Sequence, residues 1–275
     1  LALGAAGAFA PPLAGMPLKM LYLSGCESIT DVGMLADITT LTRLAVPPQA
    51  RNIEALRALP QLQMLSFALT PAYPSNPSTT ATAFWEKWGK LGWLQRLSAA
   101  GVKFTAKENE QGNWWVGVTS KDFSDCSVFQ GGRIGTLQLG NTAVTDLTPL
   151  KGLPLQHLFL YHTPVTDLRP LQGMALASLH VSSTEISDLS PLRGMPLSLV
   201  RLHNCSKLTD LSPLAESKEL KSLTLPPQAA NIDFLRSFPK LTHLSYKEAQ
   251  AGTPPFPPDK TVADFWKESD SKKAP

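Results

Sequence analysis

Five histidines, three cysteines and a regularly spaced set of aspartates are the residues with which this chain of 275 could do chemistry. Zinc would need three or four donor atoms converging ~2.1 Å from one point. Cys26, Cys126 and Cys205 are too few and too scattered for such a cage or for a disulfide scaffold. Asp125, Asp146, Asp167, Asp188 and Asp210 follow one another at 21, 21, 21 and 22 residues, so they fill equivalent places in a recurring unit and do not pair as acid and base. No nucleophile stands beside a base, and there is no glycine-rich nucleotide loop, no H-R-D and no D-F-G. No catalytic residue, metal or cofactor is expected.

The totals narrow the field further. The formal net charge is +3 with 17% charged residues, and no Lys/Arg block lies in the folded part. A nucleic-acid binder would carry a basic stripe, so nucleic acid is not the expected partner. The 43% of hydrophobic residues is enough for a sizeable core, but no apolar run approaches the ~20 residues that span a bilayer. The opening "LALGAAGAFA" resembles the core of a signal peptide but has no charged start, and it falls into the repeat register described next. It is read as a truncated repeat, and the closing "SDSKKAP" as a solvated end.

What must position these residues is a repeat. "LASLHVSSTEISDLSPLRGMP" (176–196) is followed directly by "LSLVRLHNCSKLTDLSPLAES" (197–217), and the aspartate column continues into Asn231. In the first quarter the same column holds Asp31 and Asn52, again 21 apart. Leucines that alternate with outward residues make a short strand, and "TDLSPL" turns the chain into a short helical turn on the opposite side. Asp, and Asn in its place, is suited to cap that turn. A unit of this length and pattern is a leucine-rich repeat. The fold class expected is α/β: a solenoid with parallel strands on its concave face and 3₁₀ or irregular turns on its convex face.

The "TDLSPL" signature resembles that of internalin-type and SDS22-like leucine-rich repeats. The chain is also similar to repeat arrays attached to certain bacterial serine/threonine protein kinases, through "LSPLRGMPL" (189–197), "LPPQAANIDFL" (225–235) and "DFWKE" (264–268). That resemblance implies a sensor or scaffold arm of a larger bacterial protein.

A longer repetition overlies the short one. Residues 46–67, "VPPQARNIEALRALPQLQMLSF", and 225–246, "LPPQAANIDFLRSFPKLTHLSY", are identical at 12 of 22 positions without a gap, at an offset of 179. The offset also relates Cys26 to Cys205, Leu41 to Leu220 and Met16–Pro17 to Met195–Pro196. The repeated phrase therefore marks the last rungs of a module. Residues 1–80 are read as the tail of a first module and 81–275 as a second. The second comprises a helix and hairpin cap (81–115), repeats (116–246) and a C-terminal loop and helix (247–275). One helix is expected through Phe84, Trp88, Leu91, Leu94 and Leu97, and a β-hairpin after it. Trp85, Trp88, Trp93, Trp114 and Trp115 are expected to pack that cap, and Trp266 the last rung. Thr261 and Asp264 form a capping box.

On this frame Cys26 and Cys205 fall in the inward column of Thr142, Thr163 and Thr184, and Cys126 in that of Leu147, all structural positions. His157, His180, His203 and His243 point outward from strands, with His162 just beyond one. Strands stand ~4.8 Å apart and alternate residues nearly ~7 Å apart, so His157, His180 and His203, running diagonally, should converge poorly on a metal. Together with Phe159, Tyr161 and Arg201 they make an aromatic and basic patch, with an exposed Phe at its centre. Aromatics and Arg anchor protein interfaces. The expectation is a non-catalytic module binding a protein partner through His157, Phe159, Tyr161, His180, Arg201 and His203; the alternative is a structural spacer.

Overall fold

A strand of three residues has no stability of its own, so the rungs of this chain exist only stacked. The computed structural model describes residues 16–26, 29, 31–70, 75–89, 91–249 and 258–273. The opening stretch read as a truncated repeat and the last two residues of the tail lie outside the described residues, as do 71–74 and 250–257 of the two proline-rich loops. The chain divides into two compact units, Leu1–Lys107 and Glu108–Pro275.

In the first unit β1 (Met20–Tyr22), β2 (Arg43–Ala45) and β3 (Met64–Ser66) form a parallel sheet in chain order. Helix α1 (Ala81–Trp88) packs on β3, and α2 (Gly92–Ala99) follows; β4 (Phe104–Glu108) runs across the boundary at Lys107. The single helix expected through this region is broken. Gly89 ends α1 and Gly92 opens α2, with Leu91 turning its buried side chain between them. Two glycines within four residues each cost a helix about 1 kcal/mol, which makes the break cheap.

In the second unit β5 (Trp114–Val118), β6 (Ile134–Gln138), β7 (His157–Phe159), β8 (Ser178–His180), β9 (Leu199–Arg201), β10 (Ser222–Thr224) and β11 (His243–Ser245) lie side by side in chain order, every neighbouring pair parallel. The turn before β5 is closed by Asn109, whose side-chain oxygen accepts the N–H groups of Gln111 and Asn113. Helix α3 (Val262–Lys273) packs on β11 as α1 does on β3. Thr261 and Asp264 form the anticipated box, the Asp264 N–H donating to Thr261 Oγ1.

The register explains the repeat. Leu137, Leu158, Leu179, Val200, Leu223 and Leu244 are cross-strand partners and none has any exposed surface. Each such side chain removed from water contributes about 1.5–3 kcal/mol. The Thr column bonds as expected: Thr142, Thr163 and Thr184 donate to the carbonyls of Leu139, Leu160 and Val181, and Cys205 Sγ to that of Val181. Burial pushes the Cys126 thiol up to about 12 and raises that of Cys205 as well.

On the convex side Asp125, Asp146, Asp167, Asp188 and Asp210 each accept the backbone N–H two residues on, which opens a 3₁₀ turn. Asn52 and Asn231 do not cap in this way. Both adopt left-handed backbone with φ of 60° and 53°, and Asn52 instead donates its amide to Asp31. Asn tolerates that conformation better than most residues, so it serves the turn by backbone shape. A second left-handed ladder, Asn141, His162, Ser183 and Asn204, ends the strands of successive rungs.

The tryptophans divide. Trp88, Trp93, Trp114 and Trp266 are buried, whereas Trp85 lies half-buried under the Arg57 guanidinium at 4.1 Å and Trp115 is half-buried. Trp266 carries Arg236 at 3.8 Å.

Replacing a core rung residue should cost far more than replacing a convex surface residue. Leu179→Ala is expected to lose about 2–5 kcal/mol of unfolding free energy, and Lys151→Ala to stay within about 0.5 kcal/mol. Urea denaturation followed by circular dichroism measures both.

Candidate functional site

Phe159, His180 and Arg201 are cross-strand partners in one row of outward side chains, continued by Thr224 and Ser245. His157 stands in the row before, Tyr161 and His203 in the row after. All six residues anticipated for the patch therefore lie on the same face of β7, β8 and β9 or just past those strands. The ring of His180 is 6.1 Å from that of Phe159, 5.0 Å from that of Tyr161 and 6.0 Å from that of His203.

The expected exposure of this patch needs correction. Arg201 is 1% exposed and both Phe159 and His180 are 8% exposed, while His157, Tyr161 and His203 are half-buried. Part of the cover is Glu248, which the sequence reading did not single out. It lies in the loop after β11, bridged to Pro258, and its side chain reaches back to β9 and β8. Its Oε1 is 3.3 Å from Arg201 Nε, 3.7 Å from His180 Nε2 and 3.5 Å from His203 Nδ1. Ser182 Oγ and His203 Nδ1 share a hydrogen bond of 2.8 Å. The ring of Tyr161 lies over Gly140, where any side chain would collide with it.

Burial governs the electrostatics. It lowers the His180 pKa to about 3, helped by His203, Arg201 and His162, and lowers those of His157 and His203 too. Arg201 is brought down to about 10 by burial against the opposing pull of Glu248, and Glu248 is raised by burial against the pull of Arg201. The mutual attraction does not repay desolvation for either partner, as is common for buried pairs. With their pKa values below the ordinary range, the imidazoles of His157, His180 and His203 are neutral at pH 7.

Donor atoms of His180, His203 and Glu248 lie within 4.8 Å of one another, two histidines of the diagonal joined by a carboxylate from the loop, and His157 is not in that group. These are the residues that could hold a metal ion among those described. A divalent cation there would stand beside the Arg201 guanidinium, which approaches the same carboxylate oxygen. Charge repulsion at that range in a buried site opposes binding.

The repeat, the parallel register and the turns define the chain as a leucine-rich-repeat solenoid. No family model matches it, and no curated protein does. Among solved structures it is similar to internalin C2 of Listeria monocytogenes, at 25% identity over 72% of this chain and 66% of that one, with a TM-score of 0.39. It is also similar to a second internalin of that bacterium, inlF, at 17% identity over 81% of this chain and 78% of that one, with a TM-score of 0.36. The chain thus spans just under two thirds of the internalin C2 chain. No described helix is long and apolar enough to cross a membrane.

Lowered histidine pKa values carry a pH dependence of definite sign. The unfolded chain takes up protons near pH 6.5 that the folded one refuses, so stability should fall as pH drops from 7 to 5.5. His180 contributes up to about 1.4 kcal/mol per pH unit. Glu248, whose pKa is raised, works in the opposite sense from its ordinary range upward. His180→Gln should flatten the profile, with His157 and His203 leaving a residual slope, as read by denaturant midpoints across that window.

Proposed function

We propose that this chain is a non-catalytic protein-binding module that engages a partner through the concave face of its second unit. The observation that carries this reading is the cluster on β7, β8 and β9. Six aromatic or basic side chains share one face at positions the repeat leaves free to vary, while the inward columns stay uniform. Tyr161, His157 and His203 keep accessible surface there, and the Phe159 ring packs edge-on against His180 among them. Tyr and Arg are enriched among residues that dominate binding energy, and half-buried aromatic rings lose little entropy on contact.

In this reading the two-module organisation, with its boundary near residue 80, belongs to a sensor or scaffold arm of a larger bacterial protein. The phrases shared with kinase-attached arrays support a link to a kinase. The fold by itself does not establish the binding.

The accessible rim, not the buried Arg201, is the place to test it. Affinity capture from lysate, followed by titration of the purified captured protein, should show the His157→Ala, Tyr161→Ala variant binding at least ~10-fold more weakly than the native chain. Both should give the same circular dichroism spectrum. Equal binding would move recognition off this face, and no specific partner would favour a spacer.

A further inference from the structure

We propose that the pocket made by Arg201, His180, His203 and Tyr161 is a receptor for a carboxylate side chain, filled in cis by Glu248 and in trans by an Asp or Glu from an acidic segment of a partner protein. This rests on the reading of the concave face as protein-binding and names the chemistry it would recognise.

The pocket is built for an anion. Arg201 is fully buried, and the outward positions of β5 through β11 contain no Asp or Glu. A buried guanidinium without a counter-charge is strongly unfavourable, so a carboxylate must come from elsewhere. In this chain it comes from the loop after the last rung.

Glu248 fits the pocket loosely. Its Oε1 is buried and makes no hydrogen bond. Its separations of 3.3, 3.7 and 3.5 Å from Arg201, His180 and His203 exceed the ~2.7–2.9 Å of good charge-assisted bonds. A guanidinium presents a planar fork that two carboxylate oxygens can match. The Arg201 guanidinium donates through Nη1 to the Val200 carbonyl at 3.3 Å and meets Glu248 through Nε. A route from solvent is present, since the side chains of Glu248 and His203 remain 16% and 21% exposed.

The first unit shows that the charged set is not needed to seat the loop. There the chain leaving β3 makes the same return, with Leu69 bridged to Pro77 as Glu248 is to Pro258. At the offset of 179, Tyr22, Ser24 and Leu69 stand where the second unit has Arg201, His203 and Glu248. The loop closes without any of the three charges or imidazoles. Their presence in the second unit is therefore an addition to the scaffold, and it is an addition suited to an acid.

The test uses the whole chain, a fluorescent hexaglutamate peptide as probe, and hexaserine and hexalysine peptides as controls. Glu248→Ala is expected to bind hexaglutamate at least ~10-fold more tightly than the native chain. Its lowered melting temperature should be restored saturably by that peptide and not by the controls. The variant Arg201→Met, Glu248→Met, which swaps the buried pair for apolar side chains of similar length, should fold and show no binding above the controls. Equal hexaglutamate binding by Glu248→Ala and the native chain, or binding retained by the double Met variant, overturns the proposal. So does a rise in melting temperature of the native chain with zinc chloride that His180→Ala and His203→Ala abolish, because the cluster would then be a metal site. If the peptide result is null while the His157→Ala, Tyr161→Ala variant still loses its partner, the carboxylate inference falls and the concave-face reading stands. A partner indifferent to those two substitutions overturns both.

Discussion

Everything in this chain depends on one constraint: an inward leucine or valine on each rung must meet the equivalent residue of the next, in register, along a parallel ladder. With strands of three to five residues, hydrogen bonds between neighbours are few and the stacked apolar column supplies the cohesion. A unit one residue longer is tolerated when the extra residue falls on the convex side. Between Asp188 and Asp210 the interval lengthens to 22, and Val200 and Leu223, on either side of the longer stretch, still face one another. The strand positions are rigid in number and the turns are not.

That asymmetry decides what could be read from sequence. Leu158 and Leu179, the inward Thr column and the Asp caps recur with the period and were legible because repetition supplies its own alignment. The helical region was only half legible. Hydrophobic spacing carried through Leu91 as if the helix continued, and only Gly89 and Gly92 signalled that it stops. Asn52 and Asn231 misled through chemistry: Asn can cap like Asp, but its tolerance of left-handed backbone won. The six patch residues were placed on the correct face because alternation fixes which way a side chain points. Their burial was not legible, since it depends on a residue that alternation says nothing about. Glu248 sits in a proline-rich loop outside the repeat, and its one signal was chemical: a basic face with no acid of its own needs a counter-charge from another segment.

Arg201 and Glu248 also show how little a short distance says about stability. Both charges are penalised by burial more than each is helped by the other, so proximity alone does not make the pair a source of stability. The surrounding imidazoles stay neutral and add polarity without charge. Such a cluster is tolerable at the centre of the ladder because the leucine column beneath it is complete.

The twin endings have a consequence for growth of the molecule. A parallel sheet leaves unpaired N–H and C=O groups on its final strand, an invitation to add another chain. Here β3 and β11 are each followed by a loop that bridges back and a helix that packs on the strand, with an arginine stacked on a tryptophan beside it. Each run of strands thus ends under a cover drawn from its own following residues, and neither β3 nor β11 offers a bare edge on which a further strand could grow.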